Sequence, residues 1–276
     1  MPERIFRVFP RRTKATPDDE LSWVGDPGLF PVECDEVHIS VAFTYDRPEA
    51  CRLLLAYREL YPVVKIGGPG MGDAGGDFVP GRYLKPGYII TSRGCPNKCW
   101  FCDVWKREGL VRELPITEGW NVLDDNLLAC SEKHIAAVFE MLLNQPDRAA
   151  FTGGLEAARI TPEIAQELKR LNPRPIFTAY DSASRLDHVR KAGEILQAVG
   201  FNYEIIRCYV LIGYPGDVFQ EAEARLMDTV KAGFMPMAML YRNAAGEVEQ
   251  AWKTFQRSWV RPASIKAMLN SVDKQD

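Results

Sequence analysis

The chain lacks any apolar run approaching the roughly 18–20 residues that a membrane-spanning helix needs, so an integral helical membrane protein is not expected. It also lacks an excess of either charge. Lys and Arg number 34 against 37 Asp and Glu, a net charge of −3, and the basic residues are spread along the chain rather than run together. A dedicated nucleic-acid surface is therefore not supported, although a local patch is compatible with these numbers. The first residues, Met1-Pro2-Glu3-Arg4-Ile5-Phe6, lack the apolar core of a secretory signal. A disulfide framework is missing too: of seven cysteines, three are clustered and four (Cys34, Cys51, Cys130, Cys208) are scattered. With 46% hydrophobic and 26% charged residues, disorder is not suggested either. These absences leave a soluble globular protein of a reducing cytoplasm, and 276 residues suffice to bury a full core.

What is present is a short, chemically loaded stretch, Gly94-Cys95-Pro96-Asn97-Lys98-Cys99-Trp100-Phe101-Cys102, directly after the apolar run Tyr88-Ile89-Ile90-Thr91. Thiolates are soft ligands suited to zinc or iron–sulfur clusters. Three close cysteines do not complete a four-coordinate site. One position is left for a distant residue or for a group that is not protein, and an open position on a metal is where chemistry occurs. A structural zinc site completed from afar is the plain alternative. Four-ligand zinc sites usually come as two close pairs, and no second pair is present.

Around this stretch the chain alternates strands and helices. Residues 1–35 read as an irregular lead-in with one strand at Ile5–Phe9. A strand over 37–43, a helix over 48–61 and a strand over 63–66 form a parallel crossover unit of about 30 residues. Its end, Gly67-Gly68-Pro69-Gly70-Met71-Gly72, leads into Asp73-Ala74-Gly75-Gly76-Asp77 rather than into a helix. It reads as a linker or lid rather than a phosphate cradle.

Beyond the cysteines, strands are predicted at 120–123, 148–152, 176–180, 205–212 and 235–240, with helices at 131–143, 162–171, 186–199 and 219–232 between them. Ser131 and Thr161 are the expected N-caps, and Gly200 the expected stop. This series implies a parallel sheet with helices outside. The fold class expected is α/β, a partial (β/α)6 TIM-like barrel over 81–243. An N-terminal strand–helix–strand extension would occupy 1–80, and a helical tail over 244–276 would pack on the barrel. In parallel barrels the working groups sit at the carboxyl ends of the strands. Those ends are polar or glycine-rich here: Asp124–Asn126, Gly153–Glu156, Asp181–Ser182, Gly213–Asp217 and Tyr241–Asn243.

The spacing of Cys95, Cys99 and Cys102, with the aromatic Phe101 before the last, in a loop after the first strand of such a series, resembles the signature of the radical S-adenosylmethionine (SAM) enzymes. The resemblance covers roughly residues 86–243. It implies that the three thiolates hold a 4Fe-4S cluster as metal ligands. SAM would complete the cluster and be cleaved reductively to a 5′-deoxyadenosyl radical, which abstracts hydrogen from a small polar substrate. It also implies oxygen sensitivity and a flavodoxin or ferredoxin as electron donor.

For cofactor contacts the resemblance implies Phe101, the Gly153-Gly154-Leu155-Glu156 stretch, Asp181 and Ser182 at the ribose, and Ile212-Gly213 under the adenine. The stretch Asp124-Asp125-Asn126 resembles that of members with a cobalamin-binding N-terminal half, which implies Asp125 near SAM with Glu156 close by. The N-terminal unit resembles a truncated form of that half. Its Asp-x-His-x-x-Gly signature is absent, and His38, His134 and His188 stand in other contexts, so cobalamin is not expected. A second cluster is not expected either.

Two alternatives stay open. Arg159, Arg185 and Arg242 past the strand ends, with the aromatic run Trp252–Arg261, would suit a modified nucleoside, nucleobase or RNA substrate. A metal-binding or regulatory module without turnover is the alternative of another class.

Overall fold

In the computed structural model, residues 3–243, 245–259 and 265 are described. Val260, Arg261 and most of the expected tail lie outside them. The protein is mixed α/β with parallel sheets, and its chain divides into two compact units. One comprises Met1–Gly119 with Ala244–Gly246, the other Trp120–Asn243 with Glu247–Asp276. The division falls at Gly119/Trp120, whereas the sequence suggested a boundary near residue 80. No helix among the described residues is long and apolar enough to cross a membrane.

The first unit is built on strands β1 (Ile5–Phe9), β2 (Ser22–Val24) and β3 (Glu36–Ser40), helix α1 (Arg47–Arg58) and strand β4 (Val64–Gly67). They form one parallel sheet in the order β2-β1-β3-β4. The strand expected at Ile5–Phe9 within the irregular lead-in is present with those bounds and is a central strand of the sheet. All five residues of β1 are buried. Phe6 and Val8 join Val37, Ile39, Leu53 and Tyr57 in a core between the sheet and α1.

Arg7, on the opposite face of β1, is buried because its guanidinium is fully employed. It donates to the Leu21, Gly81 and Arg82 carbonyls at 3.1, 2.9 and 2.8 Å and pairs with Asp19. The Pro, Asp and Arg punctuation around this strand belongs to the loops that satisfy that one cation. The unit continues through β5 (Tyr88–Ile89), β6 (Ser92–Arg93), the short helix α2 (Val104–Arg107) and β7 (Arg112–Glu113).

The second unit runs β8 (Asn121–Val122), α3 (Glu132–Leu143), β9 (Ala150–Phe151), α4 (Pro162–Leu171), β10 (Ile176–Ala179), α5 (Leu186–Ala198), β11 (Ile206–Ile212), α6 (Phe219–Lys231), β12 (Met235–Leu240) and α7 (Gln250–Trp259). Strands β8 and β9 pair in parallel, as do β10, β11 and β12. The Leu155 amide donates to the Phe177 carbonyl at 2.7 Å, and the Arg174 amide to the Ala149 carbonyl at 2.7 Å, linking the β9 and β10 segments. Neighbours in sequence are thus neighbours in space.

The strands at 120–123 and 148–152 shrink to two paired residues each, because their ends turn at once into the polar loops that follow. The expected caps are present. Ser131 Oγ accepts the His134 amide at 3.2 Å and Thr161 Oγ1 the Ile164 amide at 3.3 Å. Each helix buries one apolar stripe, such as Val138, Phe139 and Leu142 on α3 or Val189, Ala192 and Leu196 on α5. Thr161→Ala should lower stability by about 1 kcal/mol by orphaning an α4 amide, measurable by urea unfolding at unchanged m-value.

Candidate functional site

The three clustered cysteines lie on a loop whose two ends are pinned together. Strands β6 and β7 pair antiparallel, Ser92 with Glu113 and Arg93 with Arg112, closing its base. Inside, the Cys95 amide donates to the Gly109 carbonyl at 3.1 Å and the Cys102 amide to the Cys99 carbonyl at 3.2 Å. The indole of Trp105 donates to that same carbonyl at 3.1 Å. Gly94 has φ +90°, and a Cβ there would stand 2.3 Å from the Leu110 carbonyl oxygen, so only glycine lets the two arms meet.

Glu108, with a fully buried side chain, accepts the Gly75 amide at 2.9 and 3.1 Å. Arg112 donates to the Gly75 carbonyl at 2.7 Å. The glycine-rich segment after β4 is thereby bound to the cysteine loop by both backbone groups of one residue, Gly75.

Cys95, Cys99 and Cys102 are each half-buried, and Phe101 packs edge-on against Trp100 with ring centroids 5.4 Å apart. Among the described residues no three His, Cys, Asp or Glu side chains are gathered closely enough for a single metal ion. A cubane cluster asks for something different: three thiolates directed at separate iron corners, on a loop whose backbone is already ordered. The soft donor set and the clamped loop fit that group.

In the second unit the strand ends form a polar cluster around Glu156. Asn126 Nδ2 and Arg159 Nε donate to its Oε2 at 2.7 and 2.8 Å, and Arg185 Nη1 lies 3.7 Å from Oε1. Two of the arginines read in the sequence as substrate-binding thus hold this carboxylate. The sequence signal for Asn126 was its place after β8. The Gly153-Gly154 pair precedes Glu156 for steric reasons. A Cβ on Gly153 would stand 2.2 Å from the Asp124 carbonyl oxygen, and Gly154 has φ +84°. Asp124 is buried; Asp125 follows it in the same loop.

Asp181 accepts the Leu211 amide at 3.0 Å. Burial pushes its carboxyl up to about 6, against the opposing effects of that hydrogen bond and of Arg225. Ser182 is exposed, its hydroxyl 2.9 Å from that of Ser184. Ile212 ends β11 fully buried. At Gly213, with φ +73°, a Cβ would lie 2.8 Å from the Trp252 indole, so α7 packs directly on the strand end. Trp252 and Trp259 are buried, and Phe219, Trp252 and Phe255 form one aromatic group. The terminal aromatics therefore point inward rather than offering a stacking platform. The Gly213 turn is held by a buried pair: Asp217 accepts the Gly213 amide at 2.8 Å and Arg225 at 2.9 and 3.0 Å, while Arg225 also reaches the Leu211 carbonyl.

Removing one partner of a buried pair leaves an uncompensated charge. Asp217→Ala should cost about 3–5 kcal/mol, and Asp217→Leu combined with Arg225→Met should recover most of it in chemical denaturation. Asp181 makes a separate prediction. A raised native pKa means the fold keeps a proton that the unfolded chain has lost. Stability should fall as pH rises from 3.8 to about 6 and level above that. Asp181→Asn, which still accepts the Leu211 amide, should flatten that slope in unfolding titrations and raise stability at neutral pH. Comparison of the chain with family models finds no match, and comparison with curated proteins finds none either.

Proposed function

We propose that the protein is a radical SAM enzyme, with the partial (β/α)6 barrel that its cysteine signature implies. The observation that carries this reading is the trio Cys95, Cys99 and Cys102 on a loop closed by β6 and β7 and ordered by backbone hydrogen bonds. In-sequence adjacency of parallel strands β8 to β12, with helices between them, supports the architecture. When bound, a 4Fe-4S cluster with SAM supplies an electron that cleaves SAM to methionine and a 5′-deoxyadenosyl radical able to abstract hydrogen from a polar small molecule.

The chain's own residues have narrower tasks. The three thiols, once deprotonated, hold the cluster irons, and the clamped backbone spares the ordering cost when they bind. Glu156, held between Asn126 and two guanidiniums, presents a fixed carboxylate to the ammonium of the methionine moiety. Asp181 and Ser182 are the ribose hydrogen-bonding groups. The Ile212-Gly213 strand end, which the resemblance implies for the adenine, is buried at Ile212 and covered by the Trp252 indole at Gly213, and offers it no open face. Phe101 is the aromatic cofactor contact that the resemblance implies. Electron supply falls to a flavodoxin or ferredoxin, and the protein's setting is the cytoplasm.

Anaerobically reconstituted protein given SAM and dithionite should release 5′-deoxyadenosine, detected chromatographically. Loss of that product with an intact cluster overturns the reading, and about one zinc per chain without sulfide favours a structural module instead. Cys99→Ala should abolish both the brown chromophore and the product. Glu156→Gln should leave the chromophore and raise the KM for SAM roughly tenfold.

A further inference from the structure

The first unit holds a cavity of about 430 Å³ outside the carboxyl ends of β1, β3 and β4. Its position follows from the sheet order. With β2 on one side of β1 and β3 on the other, the chain leaves β1 toward one edge and leaves β3 toward the opposite edge. The two loops diverge and open a crevice, the place where parallel sheets bind ligands. The volume lies within the range of small-molecule sites. The walls are largely apolar, with Phe9, Ile66, Phe78 and Ile90 among them.

The polar groups on these walls divide sharply by role, because most of the hydrogen-bond donors are already engaged. Arg11 Nε donates to both oxygens of the buried Asp46 at 2.8 Å. Lys65 reaches Glu36 at 2.6 Å, and Arg93 reaches the Gly76 carbonyl at 3.1 Å. The Gly68 amide, which in a phosphate cradle would face the anion, donates to Asp73 at 2.8 Å. Arg82 is left, exposed.

The acceptors are open. His38 stands between Glu36, 2.7 Å from Nε2, and the Tyr83 hydroxyl, 2.6 Å from Nδ1. Hydrogen bonds from Lys65 and His38 hold the Glu36 carboxyl below its ordinary range, so it acts only as an acceptor. In the neutral imidazole the proton therefore sits on Nε2, and Nδ1 accepts the Tyr83 hydroxyl proton. The Tyr83 oxygen then has lone pairs, and no proton, to offer the cavity. Asp73 and Asp77 add carboxylate oxygens to the same walls. With apolar walls, open acceptors, and Arg11 and Lys65 already paired with carboxylates, the cavity leaves Arg82 and Arg93 as its only unneutralised cations among those named and disfavours a multiply charged anion. It suits an uncharged molecule with an apolar ring face, ring or exocyclic N–H donors, and hydroxyls for the carboxylates.

We infer that the cavity at the ends of β1, β3 and β4 is a binding site for an uncharged nucleoside, with Tyr83 accepting a hydrogen bond from its base. The site is independent of cluster chemistry and is tested without turnover. Calorimetric titration of the full chain with adenosine, guanosine, cytidine and uridine should give at least one Kd below about 1 mM. The matching 5′-monophosphate should bind more weakly. Tyr83→Phe should weaken the nucleoside roughly tenfold, and Ala42→Trp, which fills the mouth without touching the hydrogen bonds, should abolish it. Both variants should keep the circular dichroism of the parent. Binding of no nucleoside, tighter binding of the monophosphate, or binding unchanged in both variants would overturn the inference.

Discussion

The loop that carries the three clustered thiols keeps its shape through its own backbone. The β6–β7 pair closes the loop at its base, and the Gly109 carbonyl takes the Cys95 amide. Glu108 takes the Gly75 amide and Arg112 donates to the Gly75 carbonyl. The carboxylate of Glu108 is buried, and charge-assisted hydrogen bonds of this kind are worth more away from water than at the surface. The cysteine spacing names the atoms proposed to bind a metal. The hairpin and its buried acid keep them where binding is possible.

The second unit uses the same device in another form. Its strand ends are held by ion pairs, one with half-exposed guanidiniums around Glu156 and one buried between Asp217 and Arg225. Glu156 is surrounded by Asn126, Arg159 and Arg185, and Asp217 by Arg225 and the Gly213 amide. Such groups add little net stability compared with apolar packing, but breaking one is costly, so they fix loop geometry sharply. Glycine occurs beside each of them where another chain segment crosses: the Asp124 carbonyl at Gly153 and the Trp252 indole at Gly213. Polar precision and close backbone approach therefore occur together at these strand ends.

Much of this was legible in the residues. The helix caps Ser131 and Thr161, the helices between strands and the order of β8 to β12 follow from local chemistry and periodicity, which act over a few residues. The strand-end positions of Glu156, Asp181 and Gly213 followed from that order. The strand at Ile5–Phe9 was legible as a strand, but its central place in the sheet was not, because the partners of Arg7 come from residues 19, 21, 81 and 82. The relay of Glu36, His38 and Tyr83 was equally hidden. The alternation of Glu36 and His38 marks one face of a strand, but nothing local says that a tyrosine 45 residues away meets the imidazole.

By itself the sequence determined the thiol spacing, the alternation of parallel strands and helices, and the polar chemistry available at each strand end. Those properties depend on side-chain type and on contacts a few residues apart. Tertiary structure alone decided which charges are spent on one another and which face open space. Arg159 and Arg185 turned out to hold Glu156, Arg11 to hold Asp46, and Tyr83 to face a cavity. The reason is physical: a buried charge must find its partner wherever the fold brings one, and that distance in space is not encoded in distance along the chain.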